Sequence, residues 1–325
     1  MIASAHFELQ GHASPSGTVQ ICINDLAPEH LVALEKALSN ILSTDLAFQT
    51  FAQVVDGVPT RDVYRDYYTH TRPDFEQNVE SSRDARQVVE AFRANLRLGM
   101  IEFDAKLAEA YQNTTIGSRQ FILRLMELVS IACHNMATSL FINADGGLHK
   151  LDPTSPSAQP PTHPDLPPLM PIPPKPVELY HPEYMDWDQY PNGIADIVGY
   201  WAEYRLFGGV MLFDRGESGI ECENVFVHPV GFYQIYELSD AQIQDFANFA
   251  LSELASHSNE NPERQRFHAE KYARRIDPYV AMSLHIDRNN YERKIPTSRP
   301  RRCVYHQEDF PELADELAKF ADRHK

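Results

Sequence analysis

The stretch LDPTSPSAQPPTHPDLPPLMPIPPKPVELYHP, Leu151 to Pro182, holds twelve of the chain's 23 prolines and divides it into two unlike parts. Proline fixes φ, donates no backbone hydrogen bond and moves the residue before it out of the α region, so this segment cannot run as a helix or a central strand. It must be extended. Before it the pattern is helical; after it a block rich in Tyr, Trp, Phe and Gly leads into further helices. The chain therefore reads as an N-terminal helical region (1–150), a Pro-rich linker or strap (151–182) and a C-terminal region (183–325). The strap either tethers two bodies or lies across one, in which case 1–150 and 183–325 form a single domain.

On the N-terminal side, His6 to Gln10 and Thr18 to Ile23 read as a small hairpin. Pro28 opens a helix carrying Leu31, Leu34, Leu38, Ile41 and Leu42 at helical spacing. The spacing of Val88, Phe92, Leu96, Phe103, Leu107 and Tyr111 predicts one long helix from about Asp84, with Gly99 inside it at a point of close approach. Ser118 to Phe141 is the most apolar helix and ends at the Asp145-Gly146-Gly147 turn.

On the C-terminal side, Ile194 to Phe207 fits a helix closed by Gly208-Gly209. Short strands follow at Val210–Phe213, Val225–Val227 and Phe232–Tyr236. Ser239 and Gln242 form a capping box opening a helix to about Ser256. Asn261-Pro262 opens another that must stop before Pro278, and a last helix from Pro311 is expected to bury Leu313, Leu317 and Phe320. The sum is a mainly α protein with a small antiparallel β-sheet (α+β), a helical bundle packed on a short sheet with a long Pro-rich connection. It lacks the βαβα alternation of a doubly wound fold.

Composition narrows the classes of function. The 325 residues are 43% hydrophobic, enough for a substantial core. Met1 to Gly11 has neither a basic n-region nor an apolar run, and Phe121 to Ile142 is interrupted by Arg124, Glu127, His134 and Asn135, so a membrane partner is not expected and a cytoplasmic location is. Cys22, Cys133, Cys222 and Cys303 form no C-x-x-C pair and are expected to be reduced thiols. The formal net charge of −17 is concentrated in the middle: residues 151–237 carry 3 basic and 13 acidic side chains. Such a surface repels phosphate backbones and argues against nucleic acid as a partner. Arg274–Arg275 and Arg301–Arg302 are the exceptions, read as faces paired within the chain.

The segment YPNGIADIVGYWAEYRLFGGVMLFDRGESG (Tyr190–Gly219) is the richest in functional side chains. Together with SRQFILRLMELVSIACHNMA (Ser118–Ala137) and RPRRCVY (Arg299–Tyr305), it resembles a group of uncharacterised proteins of filamentous ascomycete fungi. The resemblance covers about half of the chain and implies a fungal source and an association with specialised metabolism. It carries over no activity and no catalytic residue.

Read from its own residues, the 194–207 helix places Asp196, Tyr200, Glu203 and Phe207 on one stripe. Facing a cavity, Asp196 and Glu203 would serve as general acid and base and Tyr200 would donate to a developing oxyanion. Facing water, they would be a solvated surface. Trp201 and Arg205, with Asp214 and Arg215 of the following loop, are the candidate substrate-binding residues. That loop, Asp214 to Gly219, could hold an anion on its amides and Arg215, but it has neither P-loop nor dinucleotide-fold order, and a plain hairpin loop is the simpler reading. Arg124, Glu127 and His134 share a stripe that an ordinary surface ion pair would explain.

No metal or cofactor is expected. Asp186-x-Asp188 opens like a calcium loop, but Tyr190, Pro191 and Ile197 stand where an EF-hand needs a ligand, a glycine and a glutamate. His285-x-Asp287 and His306 could join only a composite site. Two functions fit: a protein that binds a small organic molecule, or a cofactor-independent acid–base enzyme acting on one; and, alternatively, a non-catalytic helical interaction or regulatory protein with the Pro-rich stretch as a docking ligand for a protein partner.

Overall fold

The computed structural model describes residues 19–67, 73–150, 176–230, 234–253, 266–289, 291–294 and 310–323. In chain order these form β1 (Gln20–Cys22), α1 (Pro28–Leu42), α2 (Asp45–Asp56), α3 (Arg61–Tyr67), α4 (Pro73–Glu76), α5 (Arg83–Asn95), β2 (Glu102–Asp104), α6 (Ala105–Gln112) and α7 (Arg119–Asn143). After the Pro-rich segment come α8 (Ile194–Phe207), β3 (Gly209–Asp214), β4 (Val225–Pro229), β5 (Ile235–Glu237), α9 (Asp240–Ala250), β6 (Arg275–Ile276), α10 (Pro278–Ser283), β7 (Ile286–Asp287) and α11 (Glu312–Arg323). The fold is mainly α with small antiparallel sheets, as the pattern of elements predicts.

Local chemistry sets most helix ends. The Ser118 hydroxyl accepts from the Phe121 amide at 3.1 Å to start α7, and Ser239 and Gln242 close a reciprocal capping box on α9. Gly208, at φ 87°, ends α8 in the left-handed conformation that a residue with a Cβ rarely adopts. A five-stranded sheet runs β6-β5-β4-β3-β7, every neighbour antiparallel, with Phe213 opposite both Val225 and Asp287. Both of its faces are covered. On β3, Met211 and Phe213 join the main core, whereas Val210 and Leu212 join a second cluster with Ile197, Tyr200, Tyr184 and Tyr190. A strand buried on both faces shows no polar/apolar alternation, which is why periodicity alone gives these strands weak support.

The main core crosses the Pro-rich segment. Leu38 of α1, Phe51 of α2 and Leu125 of α7 share it with Val198 and Trp201 of α8 and Phe246 of α9. Helix α8 lies against α7, α2 and β3 and is buried on nearly every side. Among the described residues, α7 is the one helix long and apolar enough to cross a membrane. Of its most apolar window, 83% is buried inside the protein, as in a core helix.

Several expectations need correction. The long helix from Asp84 to Tyr111 is broken: α5 stops at Asn95, and Phe103 lies in β2, which pairs with β1 through Ile21↔Phe103. Pairing between distant strands overrides the helical spacing there. The described part of the expected N-terminal hairpin, β1, thus has β2 as its partner, and His6–Gln10 lies outside the described residues. Gly99 is a point of close approach outside any α-helix, since a Cβ there would meet the Asn24 side chain at 2.7 Å. The helix expected from Asn261 does not occupy 266–274, where the Phe267 amide instead donates to Phe207 O at 2.8 Å. Helix α11 forms, but Leu317 and Phe320 are 62% and 63% exposed and Leu313 is also exposed, so its apolar stripe is not buried.

Because the core spans both sides of the Pro-rich segment, we expect the chain to survive cutting there. With a protease site introduced between residues 151 and 175, the cleaved fragments should elute together as a particle of the intact 37.1 kDa mass on size-exclusion chromatography. Two smaller species would show that the halves do not hold one another.

Candidate functional site

Helices α7 and α8 pack in opposite directions, with the Thr138 hydroxyl donating to Ala195 O at 3.3 Å at one end of the contact and His134 lying beside Gly199 further along. A Cβ at position 199 would sit 2.6 Å from the His134 ring, so glycine is what lets the imidazole reach α8. There His134 bridges two carboxylates, Nδ1 to Glu203 at 2.7 Å and Nε2 to Asp196 at 3.2 Å. Carboxylate oxygens only accept, so the arrangement is satisfied by an imidazolium donating on both sides. Burial opposes the charge on His134, but the hydrogen bonds to Asp196 and Glu203 outweigh it and hold its pKa above the ordinary value. The same burial works against Asp196 and Glu203, yet His134 and, for Glu203, chiefly Arg288 hold both below the usual carboxylate range.

Glu203 is fully buried and is gripped from its other side by Arg288, whose two Nη atoms each reach a carboxylate oxygen, while Nη2 also donates to Met211 O at 3.0 Å. A second buried network lies alongside. Glu127 accepts from Arg124 at 2.8 Å and from Arg215 at 2.5 Å, and Arg215 also donates to Arg288 O at 3.0 Å. The pair expected on a surface is therefore in the interior. Arg124 and Glu127 read as surface residues because their three-residue spacing says nothing about what covers them.

The loop after β7 joins these networks to a cavity. Glu292 reaches back to accept from the Arg288 amide at 2.9 Å and from the Asn289 amide, which turns the chain over Arg288. Met282, His285, Asp287, Asn289, Glu292 and Arg293 line a cavity of about 240 Å³. That is the scale of a small metabolite, somewhat below the roughly 300–1,000 Å³ of drug-sized pockets. Burial pushes the Glu292 carboxyl up, with Arg293 opposing, and burial likewise pushes Asp287 up against the pull of Arg215. His285 holds φ at 56°, a conformation unusual for a non-glycine residue.

The candidate catalytic stripe thus faces neither water nor this cavity. Asp196, Tyr200 and Glu203 are all buried, Tyr200 packing its ring 4.6 Å from His134 and 4.6 Å from Tyr184. Trp201 is a core residue, Arg205 is buried with its guanidinium 5.7 Å from the Tyr204 ring centroid, and Asp214 accepts from the Gly216 amide at 3.1 Å. Arg215 is engaged by Glu127, and its loop joins the β3–β4 hairpin, as the simpler reading has it. None of these residues lines the cavity. His285 and Asp287, singled out as possible metal ligands, do line it, and His306 lies outside the described residues. Among the described residues no group of three or more His, Cys, Asp or Glu could hold a metal ion, and Asp186 and Asp188 share the Lys294 ammonium at 3.3 and 2.9 Å. Arg274 pairs with Glu237 at 3.3 Å and Arg275 with Glu312 at 2.6 Å; Arg301–Arg302 is not among the described residues. Sequence reasoning missed Arg288, Asn289, Glu292 and Arg293. The signal available was DRNNYERK (Asp287–Lys294), a charged run too short for any periodicity.

Comparison with known proteins finds no matching family model, no matching curated protein and no matching solved structure.

The His134 bridge sets a pH signature. Its stabilising contribution is complete below the ordinary histidine pKa of 6.5 and is lost as pH rises through the raised folded value. The contributions of Asp196 and Glu203 are complete above their ordinary 3.8 and 4.5 and are lost as pH falls through their lowered values. In urea denaturation, the stability gap between the native chain and His134→Gln should be widest near pH 5–6 and should narrow in both directions, with a maximum of about 3–5 kcal/mol for a broken buried pair. A gap independent of pH would show that His134 does not carry the charge. Gly199→Ala, which drives a methyl into the imidazole, should cost about 1–3 kcal/mol by overpacking in the same assay.

Proposed function

We propose that this protein binds a small polar organic molecule in the cavity lined by α10, β7 and Asn289, Glu292 and Arg293. The observation that carries this reading is the placing of two carboxyl groups and a buried guanidinium, Asp287, Glu292 and Arg293, around one cavity of metabolite size. Asp287, 19% exposed and with its carboxyl pushed above the usual range by burial, is the group placed for cofactor-free acid–base chemistry on the bound molecule. The role first assigned to Asp196 and Glu203 passes to Asp287, because Asp196 and Glu203 are already occupied by His134, Asn192 and Arg288, as Glu292 is by the Arg288 and Asn289 amides. A place in fungal specialised metabolism and a cytoplasmic location rest on the sequence alone.

A second reading, a protein-interaction role, is favoured by the exposed apolar stripe of α11.

Met282 lines the cavity and supplies its own reporter. With methyl-¹³C methionine incorporated and Met282 assigned by Met282→Leu, a library of small polar fragments should shift the Met282 methyl resonance saturably. A library that leaves this methyl unmoved while the protein is folded would overturn the ligand-binding reading.

A further inference from the structure

We infer that the ligand of this cavity is a small zwitterion, a molecule carrying a carboxylate and an ammonium group a few carbon atoms apart. The inference rests on the reading of the cavity as a ligand site and concerns how its charges are met.

Arg293 has five N–H donors, and its side chain is 4% exposed. Its hydrogen bonds go to Ile286 O at 2.9 Å and, at the limit of such a contact, to Pro278 O at 3.5 Å, while Nε is enclosed without a partner. The nearest carboxylate, on Glu292, is 3.7 Å away and already accepts the Arg288 and Asn289 amides. Arg293 therefore lines the cavity with its charge met only through space, by Glu292, Glu183 and Asp287, and by no hydrogen-bonded carboxylate. Asp287 is the counterpart. Its carboxylate is 19% exposed and has Arg215 at 3.8 Å as its ion-pair partner among the described residues, with no side-chain hydrogen bond to either oxygen. Arg215 in turn is committed to Glu127.

Enclosed charges that lack a hydrogen-bonded ion partner are costly, and a ligand that supplies one to each recovers part of that cost. A simple carboxylate would answer Arg293 but lie against Asp287 and Glu292. A simple amine would answer Asp287 but lie against Arg293. A neutral molecule would answer neither charge fully. One molecule with both groups meets both, with Met282 beside its carbon chain.

The test follows the Met282 methyl resonance of the full chain during titration with glycine, 4-aminobutanoate and 5-aminopentanoate, which cover a range of charge separations, and with pentanoate, pentylamine and pentanamide. We expect at least one zwitterion to bind fivefold or more tightly than all three controls, and Asp287→Asn to lower its affinity at least fivefold while leaving that of pentanoate unchanged or raised. If Asp287→Asn does not fold, the ranking of the six probes on the native chain decides alone. Controls that bind as tightly as the zwitterions would overturn the zwitterion while leaving the cavity a ligand site. The same holds if polar fragments shift Met282 and no zwitterion does. If neither the fragments nor the six probes move it, the ligand-binding reading has failed and this inference falls with it.

Discussion

One fully buried carboxylate, Glu203, has to be kept ionised, and α7, α8 and the residues after β7 are held together by how that is done. Removing a carboxylate from water costs several kcal/mol even after the protein relaxes, and the cost is offset only if the oxygens are saturated with good donors. Arg288 and His134 supply those donors from opposite directions. One belongs to the loop that follows β7 and the other to α7, so the same carboxylate fixes three separate segments: the long helix before the Pro-rich stretch, the helix after it, and the C-terminal loop. Gly199 and Met211 follow from the same requirement. The first admits the imidazole and the second offers its carbonyl to Arg288.

The cavity is a by-product of that geometry. Arg288 must turn inward to reach Glu203, and Glu292 holds the turn by accepting the amides of Arg288 and Asn289. The neighbouring residues Asp287 and Arg293 line the cavity together with Met282 of α10. The charge network and the cavity are adjacent because one short loop forms both.

What could be read beforehand follows from where the determining interactions lie. Local devices were legible: the Pro28 start of α1, the Ser118 cap of α7, the Ser239–Gln242 box and the Gly208 stop of α8 are each written within a few residues of where they act. Long-range pairings were not. Phe103 continues a helical spacing from α5 until β1, some eighty residues earlier, claims it for a strand. The apolar residues of α11 have helical spacing, and spacing does not reveal whether anything covers them. Asp196, Tyr200 and Glu203 share one face of α8, but their partners come from positions 134 and 288, and no pattern within the helix can name them.

Gly199 has a consequence for how this chain can change over time. The glycine, His134, Glu203 and Arg288 form a coupled set: the glycine without the histidine leaves a void, Arg288 without the glutamate is a stranded charge in the core, and His134 without it keeps Asp196 alone. Single steps at these four positions, spread across 155 residues of sequence from 134 to 288, therefore carry a cost that a change of partners together would lessen. Surfaces and the Pro-rich stretch remain free to drift. Descendants of this chain should keep the quartet together or lose it together, and their kinship would be recorded in these few distant letters long after overall similarity has faded.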